Sequence, residues 1–301
     1  IQDNWKVKSN VTLDYGVRFI HQVPQYDSYG KASNFLPENW TSSAAPLLYV
    51  AGCANNVYPC SGTNRQAMNP VTGAFLGPQS SIAIGTIVPG TGSATNGVYA
   101  NGQGIVSTNI KYPALKVAPR IGAAWDVKGN QTLVLRGNVG IFYDRPFANN
   151  LYNTVNNPPF SRQITVRYGQ LQSLSTAGLT TEAPPALTTW QYDEPLPTSV
   201  QWSVGAQMVL PFKVAADVAY VGQHATYFTQ GANINAIDYG TAFLASNQDR
   251  TQTSTVAGAA SVAALNPDLA RFYRGYGTIT QQQANQTRTY HFSATTHRSA
   301  T

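Results

Sequence analysis

The sequence predicts an all-β fold, namely an antiparallel transmembrane β-barrel segment of about 6–7 long strands. Apolar and polar residues alternate over stretches of nine to eleven residues, longer than most soluble strands and long enough for a tilted bilayer crossing. Short turns alternate with connections of about 50 to 95 residues, which compact soluble domains rarely tolerate. Only 11% of the 301 residues are charged, against roughly 25% in soluble proteins. No apolar run is long enough for a transmembrane helix.

The first predicted hairpin covers residues 3–20. Every odd position from Val11 to Phe19 is apolar, while the even positions carry Thr, Asp, Gly and Arg. Trp5 and Val7 alternate with lysines just before this stretch, and Ser9-Asn10 separates the two stretches as a tight turn.

Two further hairpins repeat the pattern, at residues 117–144 and 199–223. Their turns are predicted at Lys128-Gly129-Asn130 and at Pro211-Phe212-Lys213. The connections between hairpins are rich in Gly, Asn, Pro, Ser and Thr, and they cover residues 21–116, 145–198 and 224–273. This asymmetry predicts short periplasmic turns and long extracellular loops.

The C-terminal part is less regular. Ala257–Leu265, followed by Asn266-Pro267-Asp268, is expected to form a short helix, and Tyr276–Arg288 a seventh, polar strand. Residues 291–301 lose the alternation and are expected to be a ragged tail. We therefore take residues 1–290 as one partial barrel domain.

The alternation assigns the side chains to two faces. The polar face is expected to line the wet lumen, because a charge facing lipid costs several kcal/mol. The predicted lumen-facing residues are Asp14, Arg18, Arg120, Asp126, Arg136, Asn138, Gln201, Gln207 and Asp217. The predicted aromatic residues at the lipid face or its interfaces are Trp5, Tyr15, Phe19, Trp125, Tyr143, Trp202 and Tyr220.

Cys53 and Cys60 are the only two cysteines. A zinc site needs four ligands, and no second Cys/His pair accompanies them. A local disulfide in an oxidising compartment is the favoured interpretation, with two unpaired thiols as the alternative.

The sequence contains no pattern that predicts catalysis, a metal site or a cofactor. No nucleophile elbow or zinc-protease helix occurs, and the paired glycines lack a strand and helix around them. His224 and the pair Asp193-Glu194 are expected to be solvated loop residues. The lumen arginines are expected to pair with Asp14 and Asp126, with contact to an anionic solute as the alternative. Basic residues are scattered singly, so nucleic acid is not an expected partner.

Several segments resemble TonB-dependent outer-membrane receptors, and together they look like the Oar-like branch with its carboxypeptidase-regulatory-like domain. They are Gln2-Asp3-Asn4-Trp5-Lys6-Val7 with Leu13–Arg18, Ala118-Pro119-Arg120-Ile121-Gly122 with Ala124-Trp125-Asp126, Leu135-Arg136-Gly137 with Gly140–Asp144, Asn157-Pro158-Pro159-Phe160, Gln201–Gly205, Tyr220–His224 and Asn233-Ile234-Asn235. The resemblance covers roughly residues 1–290 and implies a plugged 22-stranded barrel energised through TonB. Since plug, TonB box and regulatory domain are not in this sequence, it looks like a middle-to-late fragment of the barrel.

The expected function follows from that resemblance. The parent protein would lie in the outer membrane of a Gram-negative bacterium, contact lipid and the TonB complex, and import or export a solute bound by its outer loops. The solute class (peptide, protein, glycan or chelate) stays open. The alternatives are a passive porin or adhesin-type barrel and a soluble secreted β-sandwich binding or hydrolytic protein.

Overall fold

The computed structural model describes residues 1–111, 115–145, 148–173, 178–211, 214–241, 244–252 and 263–299. Its strands are β1 (Gln2–Lys8), β2 (Val11–Ile20), β3 (Ser33–Phe35), β4 (Val50–Cys53), β5 (Arg65–Met68), β6 (Val98–Ala100), β7 (Lys116–Asp126), β8 (Leu133–Tyr143), β9 (Thr165–Arg167), β10 (Leu179–Thr181), β11 (Leu187–Trp190), β12 (Thr198–Leu210), β13 (Val214–Asn233), β14 (Gln248–Asp249), β15 (Ala263–Ala264) and β16 (Ile279–Ser299). Two short helices, α1 (Ala148–Tyr152) and α2 (Pro267–Ala270), accompany them. The all-β prediction is confirmed.

One large sheet contains every long strand. Its order is β1-β2-β7-β8-β12-β13-β16-β11, antiparallel throughout except for the parallel pairing of β11 with β16. The first and last strands of this order are not paired with each other in the described residues, so the sheet is open. Seven long strands agree with the six or seven predicted from the alternation.

The predicted hairpins are present, with one register shift between Lys6 and Lys8 in the first. Between the first two hairpins, Val17 pairs with Pro119 and Arg18 with Ala118. The third hairpin is longer than predicted, since β13 continues to Asn233. The expected loop 224–273 is therefore wrong over its first ten residues, which belong to β13 and pair with β16 except at an irregularity between Ala225 and Phe228. The turn residues 212 and 213 lie outside the described residues.

The expectation of a ragged tail is also wrong, because residues 291–299 belong to β16. The edge of β13 offers backbone donors and acceptors that a neighbouring strand satisfies whatever its side chains. Polar and apolar residues do alternate at the start of the tail, but the polar ones occupy positions that are apolar in the neighbouring strand β13. His291 and Ser293 pair with Gly222 and Tyr220, so these polar side chains lie on the apolar face of the sheet. Residues 300 and 301 lie outside the description.

The long connections fold, and they contain most of the buried apolar side chains. One cluster contains Phe35, Val98, Leu187, Tyr276 and Ile279. A second contains Tyr49, Ala67, Ala83, Ile84 and Val88. We call the described residues within 31–111, 148–197 and 233–278 the loop cap.

The short helix expected at Ala257–Leu265 is not found where the chain is described. Residues 257–262 lie outside the description, and Ala263–Ala264 form β15. The helix begins at Pro267, because the side chain of Asn266 accepts a hydrogen bond from the Asp268 amide and proline suits the first helical turn.

The apolar face of the large sheet is exposed rather than packed. Trp5, Phe19 and Ile121 each retain more than half of their maximal exposure. A soluble sandwich would bury this face against a second sheet, whereas large exposed apolar surfaces mark contact with another medium or partner. At about 3.3 Å per residue and a tilt of about 40°, the eleven residues of β7 reach roughly 27 Å, close to the ~25 Å apolar band of a membrane barrel.

Candidate functional site

The polar face of the sheet brings together all nine residues predicted to line a lumen. The pairings place Arg120 beside Gly140, Gly140 beside Gln201, and Gln201 beside Gln223. The same pairings place the remaining members on this face, namely Asp14, Arg18, Asp126, Arg136, Asn138, Gln207 and Asp217. The face therefore has the polarity of a water-filled interior.

The arginines of this face bind amides rather than carboxylates. Arg136 donates from Nη2 to Gln207 Oε1 at 2.7 Å, and Arg120 donates to the side-chain oxygen of Gln2. The expected pairing with the two aspartates is wrong for the described residues. Asp14 accepts from Asn4 instead, while the carboxylate of Asp126 accepts backbone amides in the β7–β8 turn. A turn amide is a nearer partner for Asp126 than an arginine one strand away.

The seven predicted lipid-facing aromatic residues share the opposite face. Trp5 and Trp125 lie near the turn end of the strands, and Phe19 and Tyr143 near the loop cap. The remaining ones, Tyr15, Trp202 and Tyr220, lie between these two levels. This spacing is typical of interfacial girdles with a few rings at intermediate depth.

A small aromatic cluster on this face involves the last strand. His291 stacks on Tyr220 with 5.9 Å between ring centroids, and its Nδ1 lies 2.6 Å from the tyrosine oxygen. Trp202 lies over Gly222, where an added Cβ would come within 2.5 Å of the indole ring. Here glycine is required by close approach. His224 lies in β13, with Nδ1 2.8 Å from Thr289 Oγ1, so its assignment to a solvated loop was wrong.

Buried asparagines join the loops of the cap. Asn34 Nδ2 donates to the carbonyls of Asn109 and Trp190, at 3.1 and 3.0 Å. Its Oδ1 accepts from the Trp190 amide at 2.8 Å and from Thr189 Oγ1. Asn34 is fully buried. One side chain thus joins two distant parts of the first loop, 75 residues apart, and ties that loop to the second across 156 residues.

Two more asparagines repeat this arrangement. Asn157 donates to the carbonyls of Ser33 and Thr188 and accepts from the Thr188 amide. Asn235 donates to three carbonyls between 273 and 277 and accepts from the Tyr273 amide. A satisfied buried amide network holds one arrangement, because breaking any member leaves a buried polar group unpaired.

Covalent and ionic links add to the rigidity of the cap. Cys53 and Cys60 form a disulfide with Cα atoms 5.9 Å apart. Arg65 donates to Asp249 at 2.7 Å and to Thr251 Oγ1 at 2.9 Å, which connects the first loop to the third. Burial raises the pKa of Asp249, whereas the hydrogen bonds from Thr251 and Arg65 lower it, and the net result is a lowered pKa.

A cavity of about 350 Å³ lies between the first and second loops. Tyr26 and Tyr152 line it and are 62% and 73% exposed, so its rim is open to solvent. Asn101 and Asn109 line its buried side. Asn109 is held by the bond from Asn34 to its carbonyl and by its own donation to Thr154 Oγ1 at 2.8 Å. The alternation of the strands gave no signal for this cavity.

Glu194 is the most unusual ionisable group of the cap. It is 2% exposed, and neither carboxylate oxygen has a hydrogen-bond partner in the described part of the chain. Burial raises the pKa of this carboxyl to about 8. Its neighbour Asp193 is exposed and lies 3.9 Å from Lys111 Nζ. The prediction of a solvated acidic pair is right for Asp193 and wrong for Glu194.

Among the described residues, no group of three or more His, Cys, Asp or Glu side chains has the arrangement of a metal site. No helix in the same part of the chain is long and apolar enough to cross a membrane. The arrangement offers a polar sheet face and a folded cap with a solvent-reachable cavity.

Comparison with known proteins agrees with the fold. Residues 1–300 match the sequence family described as "Outer membrane beta barrel domain". No curated protein matches the chain. Among solved structures, the outer membrane transporter YddB from Escherichia coli is similar over 61% of this chain and 17% of its own, with 15% identity and a TM-score of 0.36. The siderophore receptor PirA from Pseudomonas aeruginosa is similar over 62% of this chain and 25% of its own, with 12% identity and a TM-score of 0.31. The chain thus spans a quarter or less of either structure.

Proposed function

The chain belongs to the outer membrane beta barrel domain family, and we propose that it supplies wall strands and outer loops to a TonB-dependent receptor. Its place is the outer membrane of a Gram-negative bacterium. In this proposal the loop cap binds a solute outside the cell, and the polar sheet face lines the path through a plugged barrel. We further propose that the receptor is of the Oar-like branch, on the strength of the sequence motifs named above.

The observation that carries the receptor proposal is the interlocked cap. Loops that only connect strands do not need buried asparagines that join positions 75 to 156 residues apart. Holding a surface in one conformation reduces the entropy lost when a solute binds. A preformed surface on rigid supports is what solute recognition requires.

The polar face supports the passage part of the proposal. Arg120 and Arg136 lie on this face and donate to neutral amides, so carboxylates do not neutralise their charge through these bonds. A wet lumen solvates such charges at little cost, whereas lipid would not.

TonB dependence is tested in whole cells that produce the full-length receptor. Depletion of solutes from the medium is followed by mass spectrometry in four strains, with and without the receptor gene and with and without TonB. We expect at least one solute whose uptake is lost when either gene is removed. Uptake that requires the receptor but persists without TonB would instead show a passive porin. Surface attachment without any uptake would show an adhesin.

The orientation of the chain has its own test. Single cysteines are placed at Tyr239, which is fully exposed in the cap, and at Asn130, which is exposed in the β7–β8 turn. A membrane-impermeant maleimide should label Tyr239→Cys in intact cells and label Asn130→Cys only after the outer membrane is permeabilised. The reverse pattern would place the cap in the periplasm and contradict the proposal that it binds a solute outside the cell.

A further inference from the structure

The cavity between the first two loops contains unsatisfied acceptors. The side-chain oxygens of Asn101 and Asn109 have no hydrogen-bond partner among the described residues, although the two residues are only 8% and 0% exposed. Leaving a buried acceptor unpaired costs roughly 1–3 kcal/mol, and native structures contain few of them. Two such oxygens in the lining of one cavity indicate a site for a ligand that donates hydrogen bonds.

The charges around the cavity narrow the class of ligand. Asp27 is its only charged lining residue among those described, and its carboxylate accepts backbone amides from Tyr29 and Lys31. That carboxylate is therefore already engaged by its own loop. No lysine, arginine or histidine of the described chain lines the cavity, so it has no cation to hold an anionic group. Neutral donors, above all hydroxyl groups, suit the free carboxamide oxygens best.

The walls favour a ligand with flat apolar faces between its polar groups. Tyr26 and Tyr152 stand at the rim with most of their surface exposed, and Leu151 and Val155 line the cavity beside Tyr152. Exposed tyrosines supply rigid amphipathic contact area and a hydroxyl tip. A sugar ring presents C–H groups on its faces and hydroxyls around its edge, which matches aromatic rings beside amide oxygens.

We propose that this cavity binds a neutral carbohydrate, with hydroxyls donating to Asn101 and Asn109 and a ring face against Tyr26 or Tyr152. The inference rests on the proposed function, because it names the class of solute that the receptor takes. A volume of about 350 Å³ is at the lower end for small-molecule sites and suits one or two sugar rings.

The test uses the full-length receptor purified in detergent and saturation-transfer NMR with maltose, cellobiose, xylobiose and mannobiose. The main variant is Tyr26→Ala/Tyr152→Ala, which removes exposed rings and leaves the buried asparagine network in place. Its matched control is Tyr239→Ala, which removes a fully exposed tyrosine of the cap that does not line the cavity. We expect at least one sugar to bind, at least a tenfold loss of affinity in the double variant, and no loss in the control.

A second variant separates binding from folding. Asn101→Ala removes an unpaired oxygen, so we expect weaker sugar binding with cap protease resistance unchanged. Asn96→Ala removes a side chain that accepts from the Thr41 amide at 3.1 Å and donates to its carbonyl at 2.7 Å, so it should lower that resistance. A loss of resistance in Asn101→Ala equal to that in Asn96→Ala would overturn the ligand role of Asn101.

Three outcomes would overturn the inference itself. They are no saturation transfer to any of the four sugars, sugar binding that survives in the double tyrosine variant, and preferential binding of trialanine or putrescine offered in the same assay. Since binding is measured without TonB, it is read independently of transport. TonB-dependent uptake of another solute with no sugar binding would refute the carbohydrate site and leave the receptor proposal intact.

Discussion

Titration of Glu194 should make the loop cap weaker as the pH rises. The pKa of this carboxyl is raised from 4.5 to about 8 by burial, so the closed cap keeps its proton at neutral pH. In an opened cap, water reaches the carboxyl and its pKa returns towards 4.5. Below that value both states are protonated and pH has no effect. Between about 4.5 and 8 only the opened state releases the proton, so the free energy of opening falls with rising pH.

The size of the effect follows from the same two values. Each unit of pKa difference corresponds to about 1.4 kcal/mol, so the difference of about 3.5 units between 4.5 and 8 sets an upper limit of about 5 kcal/mol. Above about pH 8 both states are ionised and the dependence ends. Glu194→Gln is neutral at every pH and nearly the same shape. Its opening free energy should therefore be flat and should exceed that of the wild type most at high pH.

Hydrogen–deuterium exchange of peptides covering residues 186–197 measures this opening in the full-length protein in detergent. Rates at pH 6, 7 and 8 are corrected for intrinsic exchange and converted to opening free energies. Glu38→Gln is the matched control, because Glu38 is an exposed carboxyl of the same cap. A wild-type cap that opens equally at all three values, or a Glu194→Gln variant with the wild-type slope, would refute the reasoning.

Three further predictions concern the cap and the two sheet faces. Asn34→Ala removes four buried hydrogen bonds and should lower the cap's opening free energy by about 3–5 kcal/mol in the same exchange experiment. A loss under about 1 kcal/mol would contradict the role of Asn34 in joining the loops. Val17→Arg should cost roughly 2–4 kcal/mol of barrel stability near the bilayer midplane, and Arg18→Ala far less, as measured by heat-modifiable migration; equal losses would contradict the face assignment. A nitroxide at Ser293 should be more accessible to oxygen in lipid and one at Phe292 to an aqueous nickel chelate, whereas the reverse would shift the register of β16 by one residue.

Period-two alternation predicted the sheet well because it is a local property of the sequence. Val17 and Arg18 are neighbours, so they had to face opposite sides of any strand that contains them. The same reasoning fixed the faces of β7, β8 and β12. It mispredicted the tail. Residues 291–299 pair with the free edge of β13, although the polar His291 and Ser293 lie where that strand is apolar. The partner strand, not the pattern of the segment, decides its structure.

The structure of the loop cap could not be predicted from the alternation of apolar and polar residues. Asn34 finds its partners near positions 109 and 190, and no local pattern reports a contact across such separations. Glu194 gives the same sequence signal as any acidic residue beside a proline. Its burial follows from how the second loop packs, and so does the position of Asn109 at the cavity. Within the cap, only the disulfide between Cys53 and Cys60 could be predicted from the sequence, since the two residues are seven positions apart.

The distribution of buried residues places the two halves of the molecule in different solvents. Phe35 and Trp190 are fully buried in the cap, whereas Trp5 and Phe19 on the sheet remain more than half exposed. The cap therefore gains its stability in water, from apolar burial and satisfied amides, while the sheet depends on lipid to cover its apolar face. A lipid-facing position has no fixed neighbour and tolerates changes of side-chain volume, but a close-packed cap does not. For the carbohydrate site proposed above, changes of sugar preference are therefore expected at the cavity rim, around Tyr152, rather than in the wall or the buried network.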